Sequence, residues 1–229
     1  MHRRCHKLLR RPNFPALRTG AKLPPMAAVP RLPPSQLPAV LPEQHMLVFG
    51  VSWATYVLLR DAIDTPGLRM TYCEGILELM SPSRDHQLWK KTIARLIEVC
   101  ALLQRLPLVG YGPTTLRDEA KERRAEPDEC RRVGSIMRDG ELPEIVLEVI
   151  YTSPLLDKLR VYDGLGVPEV WLWKDGAFSI HHRLAAGGYE RAERSSFLPQ
   201  IDFALVTQFV TREDQDVALQ EFAALVRGA

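Results

Sequence analysis

An α/β fold, a mixed sheet with helices on its faces, is what this sequence predicts, and three stretches carry the prediction. Residues 143–158 (PEIVLEVIYTSPLLDK) contain a β-branched and aliphatic run bounded by prolines, the pattern of a strand covered on both faces. The run leads through Ser153-Pro154, an N-cap and first-turn proline, into a helix stopped by Gly164-Leu165-Gly166, and then into the apolar segment 169–173. Upstream, Trp89, Ile93, Leu96, Ile97, Cys100 and Leu103 recur at spacings of three and four within 84–104, which predicts an amphipathic helix packed on one face.

The remaining elements follow in chain order. Residues 1–45 hold nine prolines among Arg-rich patches, a composition that sustains neither helix nor sheet, and are expected to be a disordered basic tail ahead of a domain spanning 46–229. A tail without function, or a translation start at Met26 or Met46, is the simpler reading of it; a grip on phosphate is the sharper one. Ser52 caps a helix running to about Ile63, where Asp64-Thr65-Pro66-Gly67 breaks it. Residues 68–72 and 76–80 flank Cys73-Glu74-Gly75 as a β-hairpin. A strand over 106–116 is interrupted by Gly110, Gly112 and Pro113, residues 117–125 read as a loop or hairpin tip, and 126–130 is extended. After a second hairpin, 177–183 with 189–193, a closing segment from Phe203 and a helix over 214–226 complete the domain.

The chain has 229 residues, 46% apolar and 25% charged, ordinary for one soluble domain. Its net charge of +2 conceals an asymmetry: residues 1–42 carry eight Lys or Arg and no acid, leaving 22 basic against 28 acidic residues, or −6, for the rest. A nucleic-acid site would therefore be a local groove rather than a global field. Cys5, Cys73, Cys100 and Cys130 form no CxxC pair, which argues against a zinc cluster or a disulfide framework. No apolar run approaches the roughly 18 residues of a membrane span, so no membrane partner and a cytoplasmic location are expected.

One charge, Glu148, interrupts the apolar run of 145–150 and would cost several kcal/mol if buried without a partner. Asp128 precedes it by twenty residues, near the start of the preceding strand. Two carboxylates on adjacent strands can share a divalent cation, with Mg²⁺ favoured because it takes one or two carboxylates, keeps waters and accepts phosphate oxygens. Lys158, in the following helix, could orient water or stabilise phosphoryl charge. Singly, each residue has a plainer reading: Asp128 as a turn residue, Glu148 as a strand-end charge, Lys158 as a solvated surface group and His86 as a capping or packing histidine. His181 and His182 face opposite sides of a strand and do not share a metal.

Taken together, CEGILELMSPSRDH (73–86), EPDEC (126–130) and LEVIYTSPLLDKLRVYDGLGVPEVWLW (147–173) resemble a bacterial restriction endonuclease family of the Uma type, within the PD-(D/E)XK nuclease superfamily. The resemblance covers about 46–210, with GVPEVW (166–171) its most specific piece. It implies a restriction-endonuclease-like core in which Asp128 and Glu148 are the two motif acids and bind Mg²⁺ or Mn²⁺. The general motif places a lysine two residues after the second acid, where this chain has Ile150; the family's lysine lies on the following helix, which points to Lys158. Glu78 and His86 match the family's early acidic and histidine positions as accessory candidates.

The function this implies is metal-dependent hydrolysis of DNA phosphodiesters, with a homodimer supplying two sites for two strands. The acidic core and Ile150 motivate an alternative, a catalytically degenerate nuclease scaffold used for nucleic-acid binding or assembly. A two-carboxylate glycosidase, with acids about 5 to 9.5 Å apart, ranks low because no sugar groove rich in exposed aromatics is evident.

Overall fold

Glu148 acquires its setting from two sheets that meet around one short helix. The computed structural model describes residues 43–63, 67–152 and 155–228, and everything below concerns these. The first sheet contains β1 (Gln44–Phe49), β2 (Arg69–Cys73), β3 (Ile76–Ser81), β5 (Leu116–Asp118) and β6 (Arg123–Ala125), in the order β1-β3-β2-β6-β5 and antiparallel throughout. The second contains β4 (Leu108–Tyr111), β7 (Glu129–Val133), β8 (Ile145–Ile150), β9 (Glu169–Lys174), β10 (Ala177–Arg183) and β11 (Tyr189–Ala192), in the order β11-β10-β9-β8-β7-β4. Within it β8 and β9 run parallel, joined by the crossover helix α3 (Lys158–Leu165).

The alternation of strand side chains divides β8 between two cores. Ile145, Leu147 and Val149 join Ile93, Leu96, Ile97 and Cys100 of the long helix α2 (Arg84–Leu103), together with Phe203, Val206 and Phe209 of α4 (Phe203–Val210) and Phe222 of α5 (Gln215–Gly228). Val146 points the other way, into a cluster with Cys130, Val161, Tyr162, Leu165 and Val170. Cys73, Leu116 and Ala125 of the first sheet complete that second cluster, so α3 lies between the sheets. Glu148 shares the Val146 face. A third cluster packs Tyr56 of α1 (Trp53–Ala62) on Met70, Tyr72 and Leu77.

The α/β expectation holds, and most predicted elements stand where the periodicity places them. The β2–β3 turn places both Glu74 (φ 46) and Gly75 (φ 85) in the left-handed region, the geometry of a tight hairpin turn whose twist suits the strands. Several details differ. Gln44 and His45, assigned to the tail by composition, begin β1 and pair with Ser81 and Met80. Of the two readings of 117–125, loop or hairpin tip, the hairpin is the one formed, between β5 and β6, and the strand expected over 106–116 is confined to Leu108–Tyr111. The segment from Phe203 is a helix capped by Asp202.

The start of α3 also shifts. Ser153 and Pro154, the expected cap, lie outside the described residues; the helix begins at Lys158, with the Asp157 carboxylate accepting from the N–H groups of Leu159 at 3.0 Å and Arg160 at 3.3 Å. An aspartate satisfies the orphan first-turn donors and favours the positive end of the helix dipole. Asp157→Ala is expected to lower the unfolding free energy by about 1 kcal/mol. Urea denaturation would show this as a lower midpoint at unchanged m-value, and an unchanged midpoint would remove Asp157 as the cap.

Candidate active site

The β7–β8 register pairs Glu129 with Leu147 and Cys130 with Val146. Carried one step further, it sets Asp128, the residue before β7, opposite Glu148. Both acids are buried, Asp128 at 0% and Glu148 at 3% exposure. One Asp128 oxygen, Oδ2, accepts from the Val149 N–H at 2.7 Å. The other, Oδ1, receives two donors: His86 Nε2 at 2.8 Å and the Arg69 guanidinium. Burial alone would raise the Asp128 pKa, but the His86 hydrogen bond and the Arg69 charge hold it well below the usual carboxylate range. For Glu148 burial prevails: its pKa is raised by desolvation and by the charge of Asp128, against the pull of Lys158.

Glu148 is reached from α3. The buried positions of that helix are Lys158, Val161, Tyr162 and Leu165, one face at the spacings a helix requires. Lys158 and Tyr162 are therefore neighbours four residues apart, and both address Glu148 Oε1. The Tyr162 hydroxyl donates to it, and the Lys158 ammonium stands 3.9 Å away. That ammonium also lies 3.3 Å from Glu78 Oε2 and donates to Thr71 Oγ1 at 3.2 Å. Desolvation disfavours the charged amine, yet Glu148 and Glu78 together raise its pKa, so Lys158 is an ammonium at neutral pH.

The β2–β3 hairpin supplies the opposite wall. Thr71 and Glu78 are register partners, and Arg69, two residues from Thr71, shares their face; Met70, Tyr72 and Leu77 occupy the other face against α1. His86 enters from the first turn of α2, where its own N–H donates to the capping Ser83 hydroxyl at 3.1 Å. Its ring bridges Asp128 and Glu43, the latter at 2.7 Å from Nδ1. Burial works against the imidazolium, but the two acids push its pKa up to about 9. Glu43 also takes His45 Nε2 at 2.9 Å and the Thr152 hydroxyl at 2.8 Å, while His45 Nδ1 contacts Glu78 at 3.2 Å.

All five residues singled out in the sequence, Asp128, Glu148, Lys158, Glu78 and His86, are thus brought into one network. His181 and His182 are remote from these contacts: the first meets Ser179, the second Glu169. Five further members escaped sequence reasoning: Glu43, His45, Arg69, Thr71 and Tyr162. Tyr162 was available as the residue one helical turn beyond Lys158, and Arg69 and Thr71 as the polar positions alternating with Met70 and Tyr72. Glu43 and His45 carried no signal beside the proline-rich segment.

Among the described residues no group of three or more His, Cys, Asp or Glu side chains is arranged to hold a metal ion. The donor set nonetheless suits a hard divalent cation: two carboxylates at one level of a sheet, to which Mg²⁺ would add waters and substrate oxygens.

The site thus places an acid pair beside a strand entrance with an ammonium next to it. A family model described as "Putative restriction endonuclease", Uma2, matches residues 53–212. The chain belongs to the Uma2 family. It is also similar to a crystal structure described as that of a putative nuclease belonging to DUF820 from Anabaena variabilis, at 13% identity over 70% of this chain and 99% of that one, with a TM-score of 0.44. Among curated proteins none matches. No helix among the described residues is long and apolar enough to cross a membrane.

The depressed Glu43 pKa has a consequence for stability. Burial opposes ionisation there, but His86, His45 and Thr152 bring the value down to about 2 from an ordinary 4.5. The unfolded chain binds the extra proton between these values, so this contribution is fully present above pH 4.5 and lost as pH falls through about 2. Glu43→Gln is expected to flatten the stability profile across that window in denaturation series at several pH values. A profile as steep as that of the unaltered protein would assign the acid sensitivity to other groups.

Proposed function

We propose that this protein is a divalent-metal-dependent DNA endonuclease hydrolysing phosphodiester bonds. The observation that carries the reading is the convergence of Lys158 on Glu148, level with Asp128, which supplies from α3 the ammonium that position 150 lacks. Asp128 and Glu148 would hold Mg²⁺ or Mn²⁺, which as a Lewis acid would polarise a phosphoryl oxygen and favour ionisation of water. Lys158, being charged, does not take a proton; it offsets negative charge accumulating on the phosphoryl oxygens and orients the attacking water. Glu78 and Thr71 fix the ammonium, and Tyr162 fixes the Glu148 carboxylate, so the two groups arrive with little freedom left to lose. His86, held cationic by Glu43 and Asp128, is a positioning residue for Asp128 and not a base.

The nuclease reading is preferred to a non-catalytic scaffold because all three groups of the expected trio are buried and mutually oriented. The burial of Lys158 between Glu78 and Glu148 favours the catalytic reading. Plasmid DNA incubated with the protein and Mg²⁺ or Mn²⁺ is expected to be nicked. Asp128→Ala, Glu148→Ala and Lys158→Ala should each slow nicking by about a hundredfold or more, in the range of losing one charge-stabilising group. Equal nicking by the unaltered protein and Asp128→Ala would end the assignment.

A further inference from the structure

Arg69 stands apart from the rest of the network. The other cations are tied on several sides: His86 lies between Asp128 and Glu43, and Lys158 touches Glu78, Glu148 and Thr71. Among the described residues Arg69 has a single acidic partner in contact, Asp128 Oδ1. Its charge also acts on Glu148, lowering that acid's pKa against burial. A guanidinium there does the electrostatic work of a shared cation. With His86 on the same oxygen, Oδ1 has both lone-pair sites occupied, while Oδ2 keeps one beside the Val149 N–H.

Two features bear on exchange of this partner. The Arg69 side chain is 12% exposed where Asp128 is 0%, so it reaches the acid from the solvent side. Lys90, one turn along α2 from His86 and 4% exposed, adds a second positive charge nearby: burial and then Arg69 lower its pKa. A divalent ion arriving at the same acids would add further like charge against the guanidinium. A displaced guanidinium at the rim of a phosphodiesterase site has a ready acceptor, since its planar fork matches two phosphate oxygens.

We propose that Arg69 is a movable counter-cation, which holds the acid pair before metal binds, yields Asp128 to the divalent ion, and then grips a non-bridging oxygen pair of the substrate phosphate. The assignment rests on the endonuclease reading, and its test separates the two. Mn²⁺ is titrated by calorimetry into the full chain and its variants without DNA, and plasmid cleavage is followed in parallel. With the competing cation removed, Arg69→Gln is expected to bind Mn²⁺ about tenfold more tightly, yet to cleave about a hundredfold more slowly for want of the phosphate contact. Arg69→Lys, which keeps the charge and loses the fork, should leave Mn²⁺ affinity near that of the unaltered protein and restore part of the cleavage.

Mn²⁺ affinity that is unchanged or weaker in Arg69→Gln overturns the assignment. Mn²⁺ binding that depends on Asp128 but is indifferent to Arg69 overturns it alone and leaves the nuclease reading standing; Asp128→Asn retaining both affinity and cleavage overturns the reading beneath it. Should Arg69→Gln fail to fold, the unaltered protein still decides. The Nε–H resonance of Arg69, identified by its loss in Arg69→Lys, is expected to shift on Mg²⁺ addition, and a resonance that stays in place overturns the proposal.

Discussion

Compensation of charge around Asp128 and Glu148 is the constraint on which the rest of this structure depends. Four acids, Glu43, Glu78, Asp128 and Glu148, are withdrawn from water within one network, and three cations, Arg69, His86 and Lys158, face them. Each buried ion has a desolvation penalty of several kcal/mol, recovered only where partners and hydrogen bonds are well placed. Deleting one partner leaves another charge buried alone, which typically costs about 3–5 kcal/mol. The fold can hold such a network because no single element owns it. Glu148 comes from the second sheet and Asp128 from the residue just before β7, Arg69, Thr71 and Glu78 from the first sheet, and His86 and Lys158 from the first turns of α2 and α3.

Those two helix starts matter electrostatically. Both α2 and α3 begin at the network, so the positive ends of their dipoles face a region rich in carboxylates. The Ser83 hydroxyl and the Asp157 carboxylate satisfy the orphan N–H groups locally and fix where each helix begins, hence where His86 and Lys158 project. A helix starting a residue or two away would turn Lys158 by about 100° per residue and take its ammonium out of reach of Glu148. The wedge of α3 between the sheets adds the packing that keeps this phase: Val161, Tyr162 and Leu165 are buried against both.

The acids of the site were legible because each breaks a local pattern. Glu148 interrupts an apolar strand and Asp128 follows a proline at a strand entrance, so composition within a few residues flags them. Lys158 was singled out through the family resemblance, which places a lysine on the following helix where this chain has Ile150 two residues after Glu148. Arg69, Thr71 and Tyr162 were less visible because their polarity is ordinary for a hairpin and a helix; what makes them functional candidates is the approach of two sheets, which no local window contains. Glu43 and His45 were hidden for another reason. β1 follows a proline-rich segment, and its pairing with β3, from Phe49 with Ile76 to Gln44 with Ser81, outweighs the local composition. The α3 start shows the same limit in miniature: Ser-Pro is a strong start signal, yet the cap in the structure is an aspartate three residues beyond the proline.

The protonation states also constrain what chemistry the network can perform. Lys158 and His86 both have raised pKa values, so under the proposed reaction neither is a neutral base at physiological pH. Asp128 is held ionised and is too weakly basic to retain a proton. Glu148 is the exception, an acid whose affinity for protons is raised by burial and by its neighbour. Two carboxylates with environments that separate their pKa values can divide labour between holding charge and handling a proton. In this site that division assigns the fixed charge to Asp128. Glu148, with its Oε1 tethered by Tyr162 and Lys158, is the acid of the pair with the higher affinity for a proton. A positive charge brought to the pair would favour the ionised form of Glu148, opposing the burial and the Asp128 charge that raise its pKa.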